Sequence, residues 1–115
     1  SFGADVIPFM VTHLPGDLKY MMKGAVMMSP DPKADFEIHV ADMLSLGSGS
    51  DKYNVLDEVK KSSSGHITCI FGKEEESESP KLFKSSGAEV KLLPGSHHYN
   101  NDLSAVAQEI INSLR

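Results

Sequence analysis

The sequence lacks several features that would point quickly to a class of protein. It has no tryptophan and a single cysteine, Cys69, so neither an internal disulfide nor a cysteine-based zinc cluster can form. Its longest apolar runs span only four or five residues, well short of the roughly 20 needed to cross a bilayer. Its 16 acidic residues outnumber its 11 basic ones, and no stretch of the sequence concentrates lysine and arginine into a basic face. Nucleic acid is therefore not expected as a partner.

What is present is a composition typical of one folded domain. The chain has 115 residues, of which 40% are apolar and 23% are charged. A chain of this length buries roughly two thirds of its unfolded surface, which is enough to form a core. This balance of apolar and charged residues also argues against a disordered segment. We therefore expect a single domain over residues 1–115.

Three short apolar runs predict buried strands. They lie within residues 23–30, 66–71 and 88–93, and each is bounded by glycine, proline or a charged residue. Unbroken apolar runs of this length are typical of strands covered on both faces, as in a parallel sheet.

Helical periodicity predicts helices before, between and after these strands. Residues 4–14 place apolar side chains on one stripe, although Pro8, which is tolerated best in a first turn, leaves the start of that helix open. A turn is expected over residues 14–17 from its Pro-Gly-Asp composition. Shorter helices are expected over residues 54–61 and 79–86.

More detailed predictions can be made for two of these helices. In the helix over 79–86, we expect Leu82 and Phe83 to face inward and Gly87 to end the helix. The last helix has the clearest pattern, since apolar residues recur from Leu103 at offsets 0, 3, 4, 7, 8 and 11. Its candidate caps are Asn100, Asn101 and Asp102.

The middle of the chain, residues 31–65, departs from this alternation. Residues 36–40 alternate apolar and polar side chains, which predicts a half-exposed strand, and the segment as a whole is interpreted as an insertion over the sheet edge. Alternating buried strands and helices predict a doubly wound α/β sheet. Because the first element is a helix, the strand that feeds it would lie before Ser1. We therefore expect the chain to be the C-terminal part of a domain whose N-terminal half completes the fold.

Residues with catalytic chemistry follow the predicted strands in a definite order. Ser1 precedes the first helix, the acidic run 74–76 follows the second strand, and the histidine pair 97–98 follows the third. Loops at the carboxyl ends of parallel strands converge on one edge of the sheet. Serine, acid and histidine in this order form the triad of the α/β-hydrolase fold, in which histidine activates serine and the acid orients the imidazole.

Each role in this predicted triad has a first choice and alternatives. Ser1 is the nucleophile. Glu75 is the preferred acid because it lies three residues after Gly72, where the acid of this fold commonly sits. His98 is the preferred base because it precedes an aromatic residue, Tyr99. The alternatives are Glu74, Glu76 and His97.

The backbone amide of Phe2 is expected to supply half of the oxyanion hole. A metal site at the histidine pair would need a third ligand, and neither His39 nor Asp102 has supporting spacing. We therefore expect no metal and no organic cofactor.

Four segments resemble one family. Residues 1–9 (SFGADVIPF) resemble the serine-bearing turn of the VirJ/AcvB bacterial virulence proteins. Residues 36–40 (FEIHV) resemble a stretch of that family's middle insertion, and residues 69–75 (CIFGKEE) resemble its acid-bearing strand end. Residues 93–99 (LPGSHHY), together with Asp102, resemble its histidine loop. The segments occur in the family's order over nearly the whole chain.

This resemblance implies the α/β-hydrolase fold, a serine esterase or lipase-like activity and a location in the bacterial periplasm or cell envelope. The implied substrate is a small-molecule or lipid ester. An aminoacylated phospholipid is one candidate, and a lipid substrate would bring the protein to a membrane surface. The family's Gly-Tyr pair and oxyanion loop would precede Ser1, so activity is not expected of these residues by themselves. The alternative hypothesis is a non-catalytic accessory protein of the envelope or secretion apparatus that uses the same fold.

Overall fold

A computed structural model of the chain describes residues 2–34, 53–62 and 66–115. Within those ranges, helices and strands alternate along the chain. The elements, in order, are helix α1 (Phe2–His13), helix α2 (Gly16–Met21), strand β1 (Ala25–Met28), strand β2 (Lys33–Ala34), strand β3 (Tyr53–Asn54), helix α3 (Val55–Lys61), strand β4 (Ile67–Gly72), helix α4 (Ser79–Ser85), strand β5 (Glu89–Leu93), a 3₁₀ helix (Tyr99–Asn101) and helix α5 (Leu103–Ser113).

Strands β1, β4 and β5 form a parallel sheet with β4 in the centre. Met27 of β1 lies opposite Cys69 of β4, and Cys69 lies opposite Val90 of β5. Every residue of β4 is buried, as expected for a central strand. The three apolar runs thus form the predicted parallel strands. Because helices connect them along the chain, the protein is of the α/β class.

The core lies between this sheet and helices α1, α3 and α4. Alternate residues of β4 contribute to it, since successive side chains of a strand point to opposite faces. The rings of Phe71 in β4 and Phe83 in α4 have centroids 5.9 Å apart. The buried core side chains are Ala4, Phe9, Met27, Val55, Val59, Ile67, Cys69, Phe71, Phe83 and Ala88. This packing holds the carboxyl end of β4, where the candidate site begins.

Helix ends follow the chemistry expected from the sequence. Asn54 caps α3 by accepting a hydrogen bond from the Asp57 amide at 3.1 Å. Of the three candidate caps of α5, Asp102 is the one used, and it accepts from the Ala105 amide at 3.0 Å. Helix α4 ends before Gly87, whose φ of 96° lies in the left-handed region that glycine adopts readily.

Two helices differ from prediction near the amino terminus. Helix α1 begins at Phe2, so Pro8 lies inside it and not in its first turn. The proline ring is fully buried, and this burial offsets the hydrogen bond that a proline removes from a helix. Residues 14–17, predicted to form a turn, run directly into α2. No residue of α2 is buried, so it has no apolar stripe that periodicity could detect.

The helix packing corrects one prediction and adds an observation on the last helix. Phe83 is buried as expected, but the prediction that Leu82 faces inward is wrong, because its exposed fraction is 42%. Neighbouring helix positions point about 100° apart, so only one of the two faces the sheet. Helix α5 has the clearest apolar pattern, yet none of its residues is buried.

Only part of the middle segment is described. The predicted strand over residues 36–40 lies outside the described residues, so it stays a prediction, as does the interpretation of 31–65 as an insertion. In the described part, β2 pairs antiparallel with β3, and Lys33 lies opposite Asn54. Helix α3 then follows without a break.

Candidate functional site

The candidate site lies at the carboxyl edge of the parallel sheet, where the loops that follow β1, β4 and β5 meet. These loops bring Ser29, Glu75 and His97 into contact. Loops that leave neighbouring parallel strands project over the same edge, which is where such sheets usually hold their ligands. The acidic run and the histidine pair therefore share one edge of the sheet.

Glu75 is the member of the acidic run that turns toward the sheet. Its side chain is 15% exposed. One carboxylate oxygen, Oε2, accepts hydrogen bonds from the Gly72 amide and from Ser29 Oγ, the latter at 3.0 Å. The Glu75 amide donates to the Gly72 carbonyl at 3.1 Å, which folds the segment back on the strand end. The neighbouring Glu74 and Glu76 are exposed.

Gly72 allows the loops after β4 and β5 to approach each other. A Cβ atom at this position would overlap the backbone carbonyls of Gly95 and Ser96. Two backbone hydrogen bonds cross between the same loops, from Lys73 to Leu93 at 2.8 Å and from Glu74 to Gly95 at 2.9 Å. The absence of a side chain at Gly72 thus lets the acid-bearing loop lie directly against the histidine-bearing loop.

His97 is the histidine that contacts the acid. Its Nδ1 lies 3.3 Å from Glu75 Oε1, and its side chain is 54% exposed. An ionised carboxylate can only accept a hydrogen bond, so Nδ1 is the donor. The Nε2 atom of the neutral ring then carries the lone pair, which is the tautomer that a general base requires.

His98, the preferred base from sequence, occupies a different place. Its ring lies edge-on to the ring of His97, with centroids 5.6 Å apart. Among the described residues it makes no hydrogen bond to Glu75. The loop here is not extended, because Tyr99 and the two residues after it all have positive φ, at 52°, 55° and 57°. The choice of histidine stays a prediction, and the contact with Glu75 favours His97.

Two polar residues of this edge were not predicted. Ser29 and Tyr99 are buried, with exposed fractions of 6% and 5%, and their hydroxyl oxygens lie 2.6 Å apart. Tyr99 also contacts the Ile70 carbonyl at 3.0 Å. Ser29 ends an apolar strand and precedes a proline, so it occupies the same kind of strand-end position as the acidic run. That signal could have identified it.

The first turn of α1 borders the same edge. Asp5 is buried and accepts a hydrogen bond from the Asp31 amide, just beyond Ser29, at 2.7 Å. Burial raises the pKa of the Asp5 carboxyl, and the Asp31 amide partly opposes the rise. Phe2 opens α1, so its amide belongs to the first turn, where helix N–H groups lack intrahelical partners. Ser1 itself lies outside the described residues.

Within the described ranges, no three His, Cys, Asp or Glu side chains are grouped so as to hold a metal ion. Burial in β4 raises the pKa of the Cys69 thiol to about 12, so it is protonated at neutral pH and is not a nucleophile. None of the helices in the described part of the chain combines the length and apolar character that crossing a bilayer requires.

These features define an α/β protein with an imidazole and a carboxylate paired at the carboxyl edge of a parallel sheet. The model of one protein family, described as bacterial virulence protein (VirJ), matches residues 1–115. The chain therefore belongs to the VirJ family of bacterial virulence proteins, which confirms the resemblance seen in its four segments. Comparisons with curated proteins and with solved structures found no match.

Proposed function

We propose that this chain carries the catalytic residues of a serine hydrolase that cleaves an ester, with Ser1 as nucleophile, His97 as base and Glu75 as orienting acid. The observation that carries the proposal is the 3.3 Å contact between His97 Nδ1 and Glu75 Oε1. It supports the tautomer in which Nε2 can accept a proton. The hydrogen bond that the Asp31 amide donates to Asp5 adds support, because it holds the first turn of α1 beside the loop that carries Ser29.

In the proposed first step, Ser1 Oγ attacks the ester carbonyl carbon while His97 Nε2 takes the hydroxyl proton. Glu75 stabilises the resulting imidazolium without itself becoming protonated. The tetrahedral intermediate collapses by breaking the bond to the alcohol oxygen, and His97 returns its proton to that oxygen. The acyl group is now bound to Ser1.

The second step reverses these roles with water. His97 removes a proton from a water molecule as the water attacks the acyl carbon. The bond to Ser1 Oγ breaks, and the proton returns to the serine, which restores the enzyme. The Phe2 amide, in the first turn of α1, is the proposed donor to the oxyanion in both steps.

The substrate and the location belong to the same proposal. Membership in a family of bacterial virulence proteins supports a bacterial context. The sequence resemblance supports a lipid or small-molecule ester, with an aminoacylated phospholipid as one candidate, and a site in the periplasm or cell envelope. An ester of this kind would be met at a membrane surface.

Labelling of the full-length protein with a fluorophosphonate tests the proposal, because only an activated serine reacts. We expect Ser1→Ala to abolish labelling. We expect His97→Ala to slow it roughly 10²- to 10⁴-fold, the usual contribution of a general base. His98→Ala is the matched control, and its labelling rate should stay close to that of the unmodified protein.

The outcomes separate the alternatives. If His98→Ala slows labelling and His97→Ala does not, the base is His98, and the contact with Glu75 does not define it. If a folded full-length protein is not labelled at all, the hydrolase proposal is wrong. The non-catalytic accessory role would then be favoured.

A further inference from the structure

We infer that Ser29 and Tyr99 are positioning residues that hold Glu75 in the orientation required by His97. The inference rests on the proposed function, because it concerns how the acid of that site is set. It also makes a structural claim about hydrogen bonding that can be measured without any ester. Neither residue is placed in contact with substrate.

The three residues come from distant parts of the chain and meet in one buried cluster. Ser29 follows β1, Glu75 follows β4, and Tyr99 follows β5. Ser29 Oγ lies 3.0 Å from Glu75 Oε2 and 2.6 Å from the Tyr99 hydroxyl. One hydrogen-bonded chain therefore links the loops that follow all three strands of the parallel sheet.

The number of hydrogen atoms sets the direction of this chain. Each hydroxyl has one hydrogen, and the Glu75 carboxylate can only accept, so the hydrogen of Ser29 points to Glu75. Tyr99 must then be the donor to Ser29. The Tyr99 hydroxyl also donates to the Ile70 carbonyl at 3.0 Å, so its single hydrogen is shared between that carbonyl and Ser29 Oγ. The same carbonyl accepts from the Ser29 amide at 2.8 Å.

As a result, the two carboxylate oxygens of Glu75 make different contacts. Oε2 is held inside the protein by Ser29 and by the Gly72 amide. Oε1 faces His97. A carboxylate bound through one oxygen cannot rotate freely, so the other oxygen is kept in line with Nδ1 of the imidazole. Such preorganisation is what an orienting acid contributes to catalysis.

The backbone supports the same interpretation. Ser29 has φ of 47° and Tyr99 has φ of 52°, both in the left-handed region that non-glycine residues rarely adopt. Such conformations persist when the surrounding contacts hold them in place. Burial raises the pKa of the Tyr99 hydroxyl, hydrogen bonding to Ser29 opposes the rise, and the negative charge of Glu75 adds to it. The phenol therefore keeps its proton at neutral pH and acts as a donor.

The test uses Tyr99→Phe, Ser29→Ala and Ser29→Gly in the full-length protein. Ser29→Ala removes only the hydroxyl, whereas Ser29→Gly removes the whole side chain but accepts φ of 47° without strain, so a shared effect of the two is due to the lost hydroxyl. The matched controls are Tyr20→Phe and Ser104→Ala, at exposed positions. Thermal unfolding of each variant establishes that it is folded.

The first measurement is the proton spectrum of protein with ¹⁵N-labelled histidine. The resonance of the His97 Nδ1 hydrogen, assigned by its loss in His97→Ala, should shift or broaden in the three variants and stay in place in the two controls. The second measurement is ester turnover. We expect kcat to fall roughly 10- to 100-fold with KM unchanged, the effect of losing one hydrogen bond to a charged group.

The results distinguish two kinds of failure. If Ser29→Gly and Tyr99→Phe are folded and leave the Nδ1 resonance unchanged, the inference is wrong, whatever the protein hydrolyses. If that resonance moves as expected but Ser1→Ala retains full turnover, the positioning role stands and the hydrolase proposal fails. Should Tyr99→Phe not fold, the comparison of Ser29→Gly with Ser104→Ala decides the question.

Discussion

The two edges of the parallel sheet differ in how they use polar residues. At the carboxyl edge, the hydroxyls of Ser29 and Tyr99 and the carboxylate of Glu75 are hydrogen-bonded to one another, and both hydroxyl residues are buried. At the amino edge, the charged side chains are exposed. Lys91 pairs with Glu89 at 2.9 Å, and their side chains are 40% and 63% exposed. One edge holds its polar groups in fixed positions, whereas the other leaves them in solvent.

The described residues line clefts of different size near the two edges. The amino edge has a cleft of about 370 Å³, whereas the cleft beside Tyr99 has about 70 Å³. The residues lining the larger cleft include Lys23, His66, Glu89, Lys91, Glu109 and Arg115. Among them, Lys91 and Glu89 form an exposed ion pair, and pairs of this kind contribute little to stability.

The largest expected effect comes from removing one carboxylate at each edge. We expect Glu75→Gln to lower ester turnover roughly 10³- to 10⁴-fold, because the amide can neither fix the imidazole tautomer nor stabilise its positive form. Glu89→Gln, at the amino edge, should leave turnover close to that of the unmodified protein. Steady-state kinetics on both variants makes the comparison. Equal activity in the two variants would contradict the assignment of the site to the carboxyl edge.

A second, smaller effect concerns glycines at the two edges. A Cβ atom at Gly72 would overlap backbone carbonyls of the histidine loop, so we expect Gly72→Ala to cost about 1–3 kcal/mol of unfolding free energy. At Gly24, on the amino edge, the nearest atoms are the His66 carbonyl at 3.2 Å and Leu114 Cδ2 at 3.3 Å. Because both distances are much longer than those at Gly72 and the Leu114 side chain can move aside, Gly24→Ala should cost less. Urea unfolding measures both costs.

If Gly24→Ala proves the more damaging of the two, the close approach of the loops after β4 and β5 does not exist as described. A third substitution, Gly16→Ala, supplies the baseline, since nothing lies within 4 Å of its Cβ position. Its effect should be close to zero.

The smallest expected effect is on the dependence of stability on pH. Burial raises the pKa of Asp5 above its ordinary value of 3.8, so the folded state binds more protons than the unfolded state in the range just above that value. Stability therefore falls as pH rises through this range. Asp5→Asn removes the effect, keeps an oxygen for the Asp31 amide and should gain less than about 1 kcal/mol near neutral pH.

Thermal unfolding at several pH values checks this expectation. The contribution of Asp5 should persist in Glu109→Gln, the matched change at the amino edge. A fall of stability with rising pH that is steeper in Asp5→Asn than in the unmodified protein would have the wrong sign and would contradict a pKa raised by burial.

Much of the fold could be predicted because its elements depend on short-range patterns. Apolar runs bounded by glycine and proline indicated the three parallel strands. Asp102 indicated the start of α5 through its capping side chain, and Gly87 indicated the end of α4 through its backbone freedom. Helix α2 was not predicted, because prediction depended on such patterns. It buries no residue, so no apolar stripe indicated it.

The candidate site was predicted in outline. Counting three residues from Gly72 led to Glu75, whose contact with that glycine is itself local. The order of His97 and His98 around the acid could not be read in this way. The loop that carries them continues into three successive residues with positive φ, a conformation that sequence patterns do not reveal. The partnership of Ser29 with Tyr99 joins loops 70 positions apart, so only the fold brings the two together.

The amino-acid sequence by itself determined which residue types follow the strands, where the strands and most helices lie, and to which family the chain belongs, because all of these are carried by neighbours along the chain. The tertiary structure decided which acid turns inward, which histidine meets it and which hydroxyls hold it. Those choices depend on the register of three parallel strands and on the missing side chain at Gly72, which lets two loops touch.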